Sequence, residues 1–479
     1  MKEGYIPQAE RKKILLMCDD IRFTSGISTM AKEIVIGTAH RFNWVNLGAA
    51  INHPDQGKRF DVCQDTNNIA GINDSSVYIF PCSGYGTPEL LRQVIEIEKP
   101  DALMFFTDPR YWIWLFQMEN EIRRKIPMIY LNIWDDMPAP LYNKPYYESC
   151  DTLLAISKQT ANINRLVLGD KAKDKIIKYV PHGINEKVFF SLPKDTPEVQ
   201  AMRQQYFGDN QPEFVVFYNA RNIRRKCTSD LILAYAQFCD KIGKEKAKKC
   251  ALLLHTQRID ENGTDLPAVV DLFCDPEYQR VVFSENRYSP HQMCHLYNCT
   301  DVVALTSSNE GWGLSLTEAM MCGKPIIGTV TGGMQDQMRF VDEEGNWIDF
   351  DEKFCSNHFR TYRQHGKWAY PVFPSNMSIV GSIPTPYIFD DRADFRHIAI
   401  QIERVYELKL DNPEAYKEAC EAAREWVTSD ESMMSAANMC KNIIEGVDET
   451  FAKWKPRKSY ELIKVEKIER KKAVHSLVY

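Results

Sequence analysis

The stretch Glu310-Gly-Trp-Gly-Leu-Ser-Leu-Thr-Glu318 sets two carboxylates around two glycines, directly after the apolar run at 302–305. Gly311 and Gly313 free the backbone for a strand-to-helix turn. A helix starting near Leu314 or Ser315 points unpaired N–H groups and the positive end of its dipole beyond the strand, which attracts phosphate. Glu310 and Glu318 are unsuited to phosphate. They suit sugar hydroxyls, which donate to charged acceptors. A second stretch, Tyr218-Asn-Ala-Arg221-Asn-Ile-Arg224-Arg225-Lys226, follows another apolar run. At the C-terminal edge of a parallel strand such a loop can neutralise a departing diphosphate, Arg as a planar fork and Lys as a point charge. Read alone, it fits a solvated basic turn equally well. Beside Glu310 and Glu318 it fits an anion site.

Other polar residues carry weaker signals. Asp135-Asp136 follow an apolar run without a D-x-D spacing, which fits a helix cap or an acceptor contact better than a metal. Asp19-Asp20 read as polar loop or acceptor contact. His182 in Pro-His-Gly reads first as a packed turn residue. His255, near Arg258 and Asp265, is a candidate to border a nucleotide base. Cys294 and Cys299 with His295 between them match no familiar zinc spacing, so no metal site is expected.

These loops need strands behind them. Short apolar runs recur at 12–18, 44–48, 77–81, 102–107, 127–133, 152–156 and 176–180, with helical patterns at 27–39, 87–98 and 111–125 between them. The alternation restarts with runs at 214–219, 251–255, 280–283, 302–305 and 325–329 and helices at 229–242, 289–298 and 315–322. Strand-helix alternation of this kind predicts α/β units with parallel sheets covered on both faces. The spacing predicts a first domain over 1–190, a linker over 191–212 and a second domain over 213–427. The aromatic, Pro- and Gly-rich stretch 344–392 reads as an insertion. Helices are expected at 394–409, 412–427 and 430–446, and the segment 428–479 ends in a basic tail.

At 479 residues the chain is too long for one compact domain. Hydrophobic residues at 44% and charged residues at 26% exclude a disordered chain, a collagen-like repeat and a coiled-coil rod. The net charge of −6 excludes a generally basic nucleic-acid binder. Residues 453–472 are the exception, with nine Lys/Arg against three Glu. That segment reads as a solvated tail or a polyanion contact. Fourteen cysteines without a C-x-x-C pair, several inside apolar runs, suit a reducing compartment. The first thirteen residues have no apolar h-region, and no run reaches the ~18 apolar residues of a membrane span. A cytoplasmic protein is expected.

Taken together, the two loops resemble the family 4-like retaining glycosyltransferases of the GT-B fold. Glu310 and Glu318 match the family's E-x7-E motif, and Arg221 and Lys226 its Arg-x4-Lys pair. The stretch 301–336 is similar to the donor-site core. VPHGIN at 180–185 is similar to the segment before the interdomain linker, and TSGISTMAKEI at 24–34 to the N-terminal glycine loop. The resemblance covers roughly 12–340 and the C-terminal helices. It implies two Rossmann-like doubly wound domains facing an interdomain cleft, and a final helix that crosses back to the first domain.

The resemblance also implies site roles. Arg221 and Lys226 would hold the diphosphate of a nucleotide sugar, a UDP-sugar. Glu318 would bind ribose hydroxyls and Glu310 the transferred sugar. Amides at Gly311, Trp312, Gly313 and Leu314 would touch sugar or phosphate, and Gly26 would let the first domain approach the diphosphate. Transfer would retain the anomeric configuration without a metal or cofactor. Arg221, Lys226 and Glu310 are the expected catalytic residues. The loop Phe106-Thr107-Asp108-Pro109-Arg110 departs from the family, which often has a His there. Asp19, Asp108 and Asp135 are therefore acceptor-side candidates. The stretch 360–392 resembles a subgroup carried by tailed phages, which implies a hydroxymethylated pyrimidine in DNA as acceptor and a host cytoplasm as location. The alternative acceptors are a glycan or a lipid-linked saccharide. An inverting enzyme and a non-catalytic nucleotide-binding module are the competing classes.

Overall fold

The computed structural model describes residues 4–458. The apolar runs become strands because each is short, flanked by polar residues and rich in Val, Ile, Leu and Phe. The first sheet contains β1 (Lys12–Asp19), β2 (Phe42–Ala50), β3 (Phe60–Asp61), β4 (Val77–Ser83), β5 (Ala102–Phe106), β6 (Met128–Asn132), β7 (Thr152–Ala155) and β8 (Ile176–Tyr179). Their order is β3-β4-β2-β1-β5-β6-β7-β8, and only β3 is antiparallel. The second sheet contains β9 (Phe214–Asn219), β10 (Cys250–His255), β11 (Val281–Ser284), β12 (Val302–Leu305), β13 (Ile326–Thr329) and β14 (Ala369–Val372). It is wholly parallel, in the order β11-β10-β9-β12-β13-β14.

Both sheets are doubly wound. Their orders reverse between β1 and β5 and between β9 and β12, and crevices for ligands open at such switch points. The loops after β9 and β12 carry Arg221–Lys226 and Glu310–Leu314. The fold thus puts both chemistry-bearing stretches at one sheet edge.

Three expectations change. The linker 191–212 holds a helix, Pro197–Phe207, whose buried Val199, Met202, Arg203 and Phe207 share one face. Pro197 stands in its first turn, where a missing N–H costs nothing. Arg203 bonds the carbonyls of Cys299 (2.7 Å) and Pro212 (2.8 Å), fixing this segment to the second unit. The expected helix over 111–125 is broken into a 3-10 turn at Pro109–Trp112 and short helices at Ile113–Gln117 and Glu119–Ile122. The stretch 344–392 supplies β14, a strand of the second sheet, and then the antiparallel hairpin β15 (Asn376–Val380) and β16 (Ile388–Arg392).

The helix Phe395–Asp411 packs on Thr228–Ile242, and Pro413–Thr428 packs on Leu314–Met321. The last helix, Ala436–Lys453, starts six residues later than the expected 430. It crosses to the first unit and lies on Gly26–Thr38. Glycine permits the close approach there, since a Cβ on Gly37 would sit 2.3 Å from Cys440 Sγ. No described helix is long and apolar enough to cross a membrane.

Candidate functional site

The two sheets enclose a cleft of about 1580 Å³ lined from both sides. On the second-sheet wall, Gly313 takes φ +85° and caps the helix Leu314–Met321, so the helix opens into the cleft. Gly26 begins the opposing helix of the first sheet. A Cβ there would lie 3.4 Å from Leu314 Cδ1, so the two glycine loops meet across the cleft. Ser25 caps that helix through Ser28 N (3.0 Å).

Glu310 sits at the centre of the wall. Its carboxylate accepts bonds from Lys226 Nζ, from Arg225 Nη1 (3.3 Å) and from Ser307 Oγ (3.0 Å). Burial opposes its charge, but Lys226 and then Arg225 outweigh burial and hold it at about 2. It is an anion at any working pH. Glu318 lines the same wall and accepts from Tyr297 OH (2.5 Å). Burial pushes its carboxyl up to about 7, with Tyr297 pulling the other way.

Arg221 and Lys226 differ in setting. Lys226 is buried, whereas Arg221 keeps 59% of its side chain exposed and is paired with Asp260 at 2.7 Å. The guanidinium beside Glu310 belongs to Arg225, which also donates to the Asn309 carbonyl (2.6 Å). The sequence flagged the whole basic run; only the fold selects Arg225 within it. Among the described residues lining the cleft, Arg224 and Arg287 are the arginines and lysines without a carboxylate partner, and both lie on the second-sheet wall. Trp312 is buried, its indole N–H donating to Thr317 Oγ1 (2.8 Å). Only its backbone is available to a ligand beside Gly311 and Gly313.

The acceptor-side candidates separate. Asp135 lines the cleft, where burial, eased by Arg225 and reinforced by Glu310, raises it to about 6. Asp136 accepts from Asn309 Nδ2 (2.6 Å), and burial with Asp135 beside it raises it well above the usual range. Asp108 lines the cleft but is engaged by Arg110 at 2.5 Å. Asp19 is not among the lining residues. It accepts from Ser25 Oγ (2.5 Å) and Tyr85 OH (2.8 Å), and so holds the loop before Gly26. His182 lines the cleft between Phe106 and Trp312, and burial drops it to about 3, so it is neutral. His255 lines the far end, bonded to Ser284 Oγ (2.8 Å) and stacked on Tyr288. Thr107, given no role of its own within the loop 106–110, has φ +138°, a strained geometry for a β-branched residue at the cleft edge. Among the described residues no group of three or more His, Cys, Asp or Glu could hold a metal ion.

The basic segment falls elsewhere. Arg457 pairs with Glu119, and its N–H bonds the Arg123 carbonyl (2.9 Å). Arg123 in turn bonds Asp151, just before β7, so residues 453–458 run to the sheet edge opposite the cleft. The rest of the expected contact, 459–472, lies outside the described residues.

Comparison with known proteins bears on this wall. Residues 198–353 match the family described as Glycosyl transferases group 1. That match includes Arg221, Lys226, Glu310 and Glu318 and excludes Gly26, Asp108 and Asp135. The chain is 42% identical over 187 residues to a D-inositol 3-phosphate glycosyltransferase of Corynebacterium jeikeium, covering 39% of this chain and 43% of that one. It is 26% identical over 197 residues to an N-acetyl-alpha-D-glucosaminyl L-malate synthase of Bacillus anthracis, covering 41% and 45%. The matches thus span under half the length of these relatives. Among solved structures, Anabaena HepE in complex with UDP and glucose has a TM-score of 0.62 at 16% identity, covering 92% of this chain and all of that one. Sucrose-phosphate synthase of Thermosynechococcus elongatus has a TM-score of 0.64 at 15% identity, covering 92% and 100%. The fold is GT-B, with two Rossmann-like domains.

Proposed function

We propose that the chain transfers a sugar from a UDP-sugar to an acceptor hydroxyl with retained anomeric configuration. One observation carries this reading: Lys226, Arg225 and the start of helix Leu314–Met321 converge around Glu310 on a single wall of the cleft. Sugar transfer builds positive charge on the sugar ring and negative charge on the leaving diphosphate. Fixed cations and a helix N-terminus stabilise that negative charge without reorganising. On this reading Glu310, an anion, takes the sugar's hydroxyls and Glu318 those of the ribose. Arg221, held by Asp260, reaches the diphosphate from the rim. A merely nucleotide-binding module needs no such set of buried, mutually paired charges. The test is UDP release from a panel of UDP-sugars in the presence of EDTA. Turnover is expected to survive the chelator, because the cations replace a metal at the diphosphate. Strict dependence on added Mn²⁺ or Mg²⁺ would contradict this.

The raised carboxyl of Glu318 gives a pH signature. A carboxyl at about 7 is ionised above that pH and protonated below it. Only the anion accepts from both ribose hydroxyls, so UDP affinity should be full near pH ~8 and fall as the pH drops through ~7. Glu318→Gln should weaken UDP binding and flatten that dependence, while Glu310→Gln should lower kcat more than it weakens binding. Calorimetric titration of UDP at several pH values, with kcat for both variants, checks the division. Equal effects on kcat alone would refute it.

For the acceptor, the hydroxymethylated pyrimidine of DNA is the reading we retain. Arg110 is paired with Asp108 and Arg392 with Asp230 (2.7 Å), so the cations on that side are already engaged. A small anionic acceptor would have to compete with those carboxylates. A ring that enters uncharged, leaving its phosphates outside, meets no such cost. A glycan or lipid-linked saccharide is the competing acceptor.

A further inference from the structure

The segment after β6 is pinned from both units. Gln159 Nε2 donates to the Asp135 carbonyl (2.5 Å), Thr160 Oγ1 to that of Trp134 (2.7 Å), and Trp134 Nε1 to that of Asp136 (3.0 Å). From the second unit, Asn309 Nδ2 donates to Asp136 Oδ1 (2.6 Å). The hairpin β15–β16 clamps the residues that follow. Phe389 N–H donates to the Met137 carbonyl (2.6 Å), and Tyr387 OH to that of Ala139 (3.2 Å). Tyr142 OH donates to the Tyr387 carbonyl (2.8 Å). Arg110 Nη1 donates to Thr385 Oγ1 (3.1 Å), joining the hairpin to the loop after β5. Asp135 lines the cleft from within this fixed segment.

Its carboxylate is uncommitted. Its own backbone N–H aside, no described residue donates a hydrogen bond to it. The neighbouring carboxylates are taken: Asp108 by Arg110, Asp19 by Ser25 and Tyr85, and Asp136 by Asn309. Asp135 also stands beside Glu310. A Cβ built on Gly332 would lie 2.0 Å from the Glu310 carbonyl oxygen and 3.3 Å from Asp135 Cβ, so one methyl-sized point touches both residues. A Cβ on Gly311 would lie 3.0 Å from the Ile133 carbonyl oxygen, a second close approach of the same two loops. Arg225 and Lys226, from the loop after β9, favour the Asp135 anion, and Glu310, from the loop after β12, opposes it. Asp136, next to it, is itself raised by burial and then by Asp135. Burial with these neighbours leaves Asp135 at about 6, against about 2 for Glu310. Adjacent carboxylates separated in this way divide their roles. One stays an anion, and the other takes and releases a proton near neutral pH.

We propose that Asp135 is the catalytic base, taking the proton of the acceptor hydroxyl as that hydroxyl attacks the sugar. The inference rests on the transferase reading above and names the group that activates the acceptor. The hydroxyl oxygen bonds the anomeric carbon while that carbon's bond to the diphosphate oxygen breaks. The hydroxyl proton passes to Asp135, the electron pair leaves with UDP, and Asp135 then releases the proton to water. Arg225 and Lys226, the cations that would meet the leaving diphosphate, are the ones that act on Asp135. The base thus stands on the leaving-group side of the sugar, the side from which attack retains configuration.

The test uses the full chain with a saturating UDP-sugar, with water and glycerol as acceptors and UDP release as the readout. Saturation removes the pH dependence of donor binding that Glu318 carries. Asp135→Asn should lower kcat by about 10²–10⁴-fold, the scale for losing a general base, with UDP affinity unchanged. Wild-type kcat should fall as the pH drops through about 6, or through a higher value, since a bound diphosphate adds a further anion. That acid limb should be missing from Asp135→Asn. Asp135→Glu should recover part of the rate. Asp135→Ala serves where Asn does not fold, and sodium formate should restore part of its turnover, which a merely structural loss would not allow. Near wild-type kcat in Asp135→Asn, or an acid limb that survives the substitution, overturns the assignment. So does a loss of UDP affinity as large as the loss of kcat. Failure of the wild-type chain to bind UDP or to turn over any UDP-sugar would instead strike the transferase reading, and the base with it.

Discussion

Lys226→Ala should lower turnover by about 10²–10³-fold, the scale for losing one preorganised donor to transition-state charge. The loss should fall on kcat, because the ammonium matters most when the diphosphate leaves. Arg225→Ala should do the same, since Arg225 shares the Glu310 carboxylate with Lys226. Arg221→Ala should cost less, for its guanidinium is half in solvent and held by Asp260. Truncation also leaves Glu310 with fewer cations around a buried charge, which destabilises the fold. Melting temperatures measured beside kcat separate the two effects. Near wild-type kcat in both Lys226→Ala and Arg225→Ala would remove this loop from the mechanism.

Gly332→Ala should be comparably damaging although residue 332 carries no chemistry. Its φ is +48°, and a Cβ there would lie 2.0 Å from the Glu310 carbonyl oxygen and 3.3 Å from Asp135 Cβ. The turn after β13 and the turn after β12 cannot both stay in place. The backbone of Glu310-Gly311 must move, carrying the carboxylate away from Lys226 and Arg225. Displacements near 1 Å at such a site cost about 10²-fold in rate. Activity should fall by at least that much in protein that remains folded by circular dichroism. Unchanged activity would mean that the Glu310 loop tolerates displacement, and its positioning role would fail.

The Glu310 wall of the cleft was legible because its residues are local in sequence. Glu310, Gly311, Gly313, Leu314 and Glu318 lie within nine consecutive residues, and the strand and helix around them announce themselves by apolar runs. The partners that tune the wall are not local. Asp260 is 39 residues from Arg221, and Tyr297 is 21 from Glu318. Composition also misleads where one residue has two meanings. Pro197 reads as a breaker yet starts a helix, and Pro371 sits inside the edge strand β14, where a missing donor is tolerated. The hairpin β15–β16 escaped notice because its alternation is short and half polar. Its importance comes from contacts to Met137, Ala139 and Arg110, more than 200 residues away. Asp19 followed its strand as an acceptor contact should, but Ser25 and Tyr85 occupy it.

We propose sugar transfer with retention at the wall formed by Arg225, Lys226, Glu310 and Glu318. Proton NMR of the reaction measures it most directly, with an α-linked UDP-sugar followed in the presence of EDTA and the anomeric coupling read in the first product formed. UDP release coupled to an α-linked product is expected, with both lowered about 10²–10³-fold in Lys226→Ala. A β-linked first product, or near wild-type turnover in Lys226→Ala, would refute transfer with retention at this wall.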